Sequence, residues 1–290
     1  MNKIIATILL GTSCSLFAQT NPEVYLGNVK SEYGGLAIYN FQNISNDAGY
    51  DNQPSFVGNS EVLFAGNNTN QTDITTYSIA TKTKNNFYKS TPGGEYSPKM
   101  VPNKTNVVSA VRLDPDGLQR LYFYEKGFKN PSEAIKGLQV AYYDYYDDNT
   151  LVASVLRDDE LDLVVSKLKS QKTDTLVTNV GRSISKVPNS NTISYTLANK
   201  DKNQELFLLN METYESFFVC QLPVGIQDYA WLNDSQILIG SNSKIYLYDT
   251  FLNEEWSEVA DLSEDNITNI TRLAVSPNQN YIAIVAEPND

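Results

Sequence analysis

The stretch Val275-Ser276-Pro277-Asn278-Gln279-Asn280-Tyr281-Ile282-Ala283-Ile284 decides how this chain folds. Pro and Asn between two runs of β-branched and aromatic residues mark a tight turn joining short strands. The second strand is apolar throughout, the pattern of a strand buried on both faces. The same shape occurs five more times. It reads Phe56-Val57-Gly58-Asn59 before Val62-Leu63-Phe64, Met100-Val101-Pro102-Asn103 before Val107-Val108, and Tyr145-Tyr146-Asp147-Asp148 before Leu151-Val152. It continues as Lys186-Val187-Pro188-Asn189 before Ile193-Ser194-Tyr195, and as Trp231-Leu232-Asn233-Asp234 before Ile237-Leu238-Ile239. The turn positions 58, 102, 147, 188, 233 and 277 stand 44, 45, 41, 45 and 44 residues apart. A period of about 40 to 50 residues with four short strands per unit is the signature of a propeller blade.

The sequence between these hairpins supplies the other two strands. Third strands read at Ile74 to Ser78, Leu121 to Tyr124, Leu163 to Val165, Leu206 to Leu209 and Ile245 to Tyr248. Fourth strands read at Phe87 to Lys89, Ala134-Ile135, Thr175 to Val177, Phe217 to Val219 and Glu258 to Ala260. The sixth unit reaches Asp290 after only two strands, which would leave an apolar sheet edge unpaired. Glu23-Val24-Tyr25-Leu26 and Leu36-Ala37-Ile38-Tyr39 match the two missing strands. The sequence therefore predicts an all-β, six-bladed β-propeller of four-stranded blades, its last blade closed by N-terminal strands. Six units of about 44 residues occupy about 264 positions, so residues 19–290 are expected to form a single domain. Two stacked sandwiches would not place half-units at opposite termini.

Composition agrees with a folded β protein and removes several functions. Hydrophobic residues make up 41% and charged residues 19% of 290, and Tyr and Phe (19 and 11) far outnumber Met (3), which favours strands over packed helices. A net charge of -12 opposes nucleic acid, whose phosphates need a basic surface. With no His in the chain, Ser-His-Asp and Cys-His sites and His-ligated zinc are excluded, and no motif asks for a cofactor. Residues 1–18, with Lys3, the apolar run Ile4 to Leu10 and Leu16-Phe17-Ala18, read as a secretory signal peptide cleaved after Ala18. The mature chain is then expected in the periplasm or outside the cell. Gly11 stands three residues before Cys14, where a lipobox carries an aliphatic residue, so lipidation is the minor reading. Cys220 would then be the one remaining thiol, a small buried hydrophobe without a disulfide partner. No later apolar run reaches the length of a membrane span.

The stretch from Asn46 through Gly49-Tyr50-Asp51-Asn52-Gln53-Pro54-Ser55-Phe56, followed by Val62-Leu63-Phe64-Ala65 and Asp73-Ile74, resembles the TolB-like β-propeller repeat (WD40-like Pro-Asp type). Thr91 to Pro98 and Ala274 to Asn278 are similar to further copies, and blades three to five match by spacing. The resemblance implies a binding role in the bacterial envelope, in a family that also includes propellers attached to peptidases.

Alternation along the first strands separates two sets of residues. Phe56, Met100, Tyr145, Lys186, Trp231 and Val275, with Pro54, Pro98, Tyr143, Ile184, Tyr229 and Leu273, are expected between blades. Ser55, Lys99, Asp144, Ser185, Ala230 and Ala274, with Gln53, Ser97, Tyr142, Ser183, Asp228 and Arg272, are expected at the axis. Lys99 with Asp144 and Asp228 with Arg272 share a register on adjacent blades, which predicts two ion pairs. A structural role explains them before a binding one does. Gln53, Tyr96, Tyr142, Arg182, Asp228 and Arg272 are the candidate ligand-binding residues, forming a polar cup at the channel mouth. Most tyrosines of Tyr142-Tyr143-Asp144-Tyr145-Tyr146 are expected to pack between blades, with Tyr142 directed to the cup.

Asp114-Pro115-Asp116-Gly117 and Asp158-Asp159-Glu160 lack the spaced acids of a calcium loop and read as hairpin turns. The leading function is capture of a protein or peptide partner. The alternative is a carbohydrate-active enzyme, a glycosidase or polysaccharide lyase, or an accessory glycan-binding propeller, since carboxylate chemistry on sugars needs no His.

Overall fold

The computed structural model describes residues 21–32, 35–69, 71–127, 130–252 and 255–288. The expected leader, with Cys14, lies outside them. The described strands form six sheets of four antiparallel strands each. In blade 1 the order from the axis outward is Asn52–Val57, Glu61–Asn68, Gln71–Ser78 and Thr83–Asn86. The inner strands of blades 2 to 6 are Gly94–Met100, Val140–Tyr145, Val180–Lys186, Ala230–Trp231 and Ile267–Val275. Blade 6 continues outward through Tyr281–Pro288, then Glu23–Glu32 and Gly35–Asn43 from the start of the chain. Glu23 pairs with Ala286 and Asn28 with Tyr281, so both ends of the chain meet in one sheet.

Packing explains why the second strands are apolar without alternation. Val62, Leu63, Phe64 and Ala65 are all fully buried, because each blade is covered on both faces by its neighbours. The core is divided into six wedges, one for each blade interface. Val24, Leu26, Val62, Phe64 and Val285 fill the wedge between blades 6 and 1. Leu63, Phe87, Val108 and Tyr124 fill the next, between blades 1 and 2. At about 25 cal/mol per Å² of apolar surface removed from water, these wedges supply the main favourable term, with no disulfide among the described residues to assist. Cys220 is buried in the wedge between blades 4 and 5, where burial pushes its thiol up to about 12.

Polar side chains stitch the wedges near the axis. Tyr143 of blade 3 reaches back to Ser109 of blade 2, with oxygens 2.8 Å apart. Tyr229 and Trp231 of blade 5 both donate to the Ser194 hydroxyl of blade 4, at 2.7 and 2.8 Å. Between blades 6 and 1, the backbone N–H of Asn278 donates to Asn59 at 2.9 Å.

Two outer strands differ from the sequence reading. The fourth strand of blade 1 is Thr83–Asn86, and Phe87 follows it as a buried plug of the neighbouring wedge. In blade 2 the outer strand is Ser132–Glu133, with Ala134 and Ile135 buried just beyond it. In both places the apolar residues that suggested the strand serve the interface that follows it. Among the described residues no helix is long and apolar enough to cross a membrane.

Candidate functional site

The six inner strands surround an axial cavity of about 650 Å³. Five of them carry a register irregularity near the start of the strand: Asn52/Ser55, Tyr96/Lys99, Val140/Tyr142, Val180/Ile184 and Thr268/Arg272. Gln53, Ser97 and Asn269 have positive φ at these points. A bulge bends the strand and re-aims its side chains, and here it occurs at the same end of each strand. The bulged ends form one mouth of the channel.

Gln53, Tyr142, Arg182, Asp228 and Arg272, from five blades, all line the cavity. Gln53 accepts the Ser97 backbone N–H at 2.8 Å, joining blades 1 and 2. Asp228 is the hub of the opposite wall. Its carboxylate takes Arg182 on one oxygen, and on the other Arg272 at 3.3 Å together with the Ser183 hydroxyl at 2.7 Å. The Arg272 guanidinium lies 6.0 Å from the centre of the Tyr142 ring, within cation–π range. Tyr96 stands apart from the cavity lining. It sits on the rim, edge-on to Tyr50 with centroids 6.1 Å apart.

Tyr50 belongs to this mouth, although the alternation pattern did not reveal it, because it lies in the connection before the first strand. Burial raises the pKa of its phenol, opposed by the positive charges of Arg272 and Arg182. The sequence signal that would have found it is the Gly49-Tyr50-Asp51 connection leading into the bulge at Gln53.

A second cluster occupies the deeper part of the channel. Lys99 lies 3.1 Å from Asp144, and Asp144 also accepts the Lys186 backbone N–H at 2.9 Å. Both ion pairs expected from the shared register therefore form. Lys186 borders the channel as the other wedge-facing residues of the inner strands do, with its ammonium 4.1 Å from the centre of the Tyr146 ring, which packs against the wedge between blades 3 and 4. Burial lowers the Lys186 pKa, which the Asp144 and Asp147 charges oppose. Phe56, Met100, Tyr145, Trp231 and Val275 do pack in the wedges. Among the described residues no group of three or more His, Cys, Asp or Glu is placed to hold one metal ion.

No family model matches the chain, and no curated protein matches it in sequence. Solved structures match it in fold. The TolB structure from Agrobacterium tumefaciens superposes with a TM-score of 0.70 at 11% identity, covering 92% of this chain and 98% of that one. TolB from Acinetobacter baumannii superposes at 0.60 and 7% identity over 92% of this chain, which spans 64% of that longer protein. An oligogalacturonate lyase in complex with manganese gives 0.55 at 13% identity, covering 86% of this chain and 80% of that one. At these identities the likeness is one of architecture: the chain is a six-bladed, all-β propeller built as the TolB propellers are.

Proposed function

We propose that this protein is an exported, non-catalytic binding propeller of the bacterial envelope, which holds a protein or peptide partner at the Tyr50–Tyr142 mouth of its channel. The observation that carries this reading is the convergence of polar and aromatic side chains from separate blades on one bulged opening. Rigid blades fix these groups in advance, so a ligand meets a pre-organised surface. Sugar hydrolysis would require a pair of carboxyl groups free to give and accept a proton. The two acids lining this channel, Asp144 and Asp228, are instead both engaged by cations on neighbouring blades. The TolB likeness supports the propeller architecture on which such a mouth is built.

The test is affinity capture from envelope extract, with Tyr142→Ala as the control bait and cell fractionation of the tagged chain beside it. Saturable recovery of one protein by the wild type, at least ten-fold reduced for Tyr142→Ala, supports the reading. Turnover of a purified polysaccharide overturns it in favour of the carbohydrate-active alternative.

A further inference from the structure

The chain carries a net charge of -12, yet its channel has the opposite sign. Four cations line the cavity, Lys99, Arg182, Lys186 and Arg272, against two carboxylates, Asp144 and Asp228. That is an excess of two positive charges. Asp228 is shared by Arg182 and Arg272, whereas Asp144 pairs with the Lys99 ammonium and takes only the backbone N–H of Lys186, whose own ammonium lies over the Tyr146 ring. Cations confined between low-dielectric walls repel one another unless an anion joins them. Arg182 and Arg272 share the single carboxylate of Asp228, so this cluster alone carries one positive charge in excess. The Arg182 side chain is itself one-third exposed along the cavity, and a guanidinium so placed is suited to a carboxylate.

From these features, and resting on the binding reading above, we propose that the channel accepts an extended acidic peptide segment, one carboxylate completing the Arg182–Arg272 cluster and a second the Lys99–Lys186 cluster. The spacing follows from one strand. Arg182 and Lys186 lie four residues apart in Val180–Lys186, at most about 13 Å at 3.3 Å per residue, since the bulge between Val180 and Ile184 shortens the strand. An extended peptide repeats its faces every second residue, so acids at positions i and i+4 share one face about 13 Å apart. The cavity volume falls in the range of ligand pockets. The aromatic groups favour a peptide over an acidic glycan. Tyr143, Tyr145, Tyr229 and Trp231 are buried in the wedges, and the Tyr142 ring already has the Arg272 guanidinium near it. No broad, uncovered aromatic platform is left for a sugar ring among these residues.

The experiment is fluorescence anisotropy with a labelled seven-residue peptide of alanine and serine carrying glutamates at its second and sixth positions. Its counterpart with glutamines at both positions and an oligogalacturonate competitor complete the set. The diglutamate peptide is expected to bind at least ten-fold tighter than the diglutamine peptide and to weaken steeply with added salt. Arg182→Gln should reduce its affinity about ten-fold while the melting curve shows the fold intact; Lys99→Gln supplies an independent second variant. Equal binding of the two peptides, or binding of neither, overturns the proposal. Binding of the oligogalacturonate alone assigns the channel to an acidic glycan and overturns it as well. If affinity capture still recovers a protein that depends on Tyr142 while the two peptides bind alike, the binding-propeller reading stands and this inference fails.

Discussion

Asp228 is 11% exposed and holds two arginines from the blades on either side. Removing it should cost more than removing either partner, because Asp228→Ala leaves two cations facing each other across the mouth. We expect a loss of about 2–3 kcal/mol for Asp228→Ala, discounted from a fully buried pair, against about 1 kcal/mol for Arg272→Ala, which leaves Asp228 its bonds to Arg182 and Ser183. For a chain of this size each kcal/mol moves the melting midpoint by about 2–4 °C, so thermal melts can rank the variants. An unchanged melt for Arg272→Ala would reject its structural role. A second residue-scale feature lies away from the channel. Burial raises the Asp51 carboxyl from 3.8 to about 7, with the Glu23 charge adding to the shift against a bond from the Asn67 N–H. Glu95, buried beside Asp73, is raised from 4.5 to about 8 by burial, opposed by the Thr91 hydroxyl. Asp73 is held low because hydrogen bonds from Ser90, Gln71 and Asn68 outweigh its own burial. Glu95 is therefore the member of the pair that keeps the proton. Both raised groups bind protons in the folded state that the unfolded chain has already released between pH 4.5 and pH 8. Folded-state proton binding then exceeds that of the unfolded chain, so their stabilisation is complete below the unfolded values and is lost as pH climbs to 7–8. Thermal midpoints should be higher at pH 5.5 than at pH 8, and Glu95→Gln, which keeps a donor for Asp73, should flatten that slope. An unaltered slope in Glu95→Gln would remove Glu95 as its source.

At the scale of elements, the tip between Arg157 and Glu160 offers a direct test of turn chemistry. Asp158 and Asp159 both have positive φ, 48° and 67°, the requirement of the two-residue hairpin turn that favours Asn-Gly. Asp158→Asn with Asp159→Gly is expected to stabilise the protein by about 0.5–1 kcal/mol, measured by urea denaturation; a lower midpoint would contradict the turn assignment. The elements also show what was legible in the sequence. The inner and second strands were readable because the wedge geometry forces apolar runs there, as in Val62 to Ala65, and because the turn before each run returns with a nearly constant period. The outer strand of blade 1, Thr83-Lys84-Asn85-Asn86, is exposed at every position, so no burial pattern marks it, and the nearby Phe87 drew the assignment outward. Alternation found Lys99, Asp144, Asp228 and Arg272 at the axis. It missed Tyr50, which belongs to no strand and so shares no register with the inner-strand residues.

For the whole molecule, the ring depends on strands more than 200 residues apart in sequence finding each other. Loop closure over such a length adds only slowly to the entropy cost, but pairing so distant slows folding. Deleting residues 1–43 would strip blade 6 of its outer two strands and uncover Ile282 and Ile284, both fully buried in the intact ring. The truncated chain is expected to aggregate or to lose its cooperative melt, as judged by gel filtration and circular dichroism; a monomer with an unchanged melt would show that the ring does not need this closure. The antiparallel seam has a mechanical consequence. Glu23 faces Ala286 at one end of the seam and Asn28 faces Tyr281 at the other, so residues 21 and 288 lie at the same end. Tension applied through them would peel the seam one hydrogen bond at a time, loading each in turn. The same propeller gripped between blades 2 and 5 would instead be loaded across the apolar wedges that join neighbouring blades, leaving the seam's hydrogen bonds out of the first event.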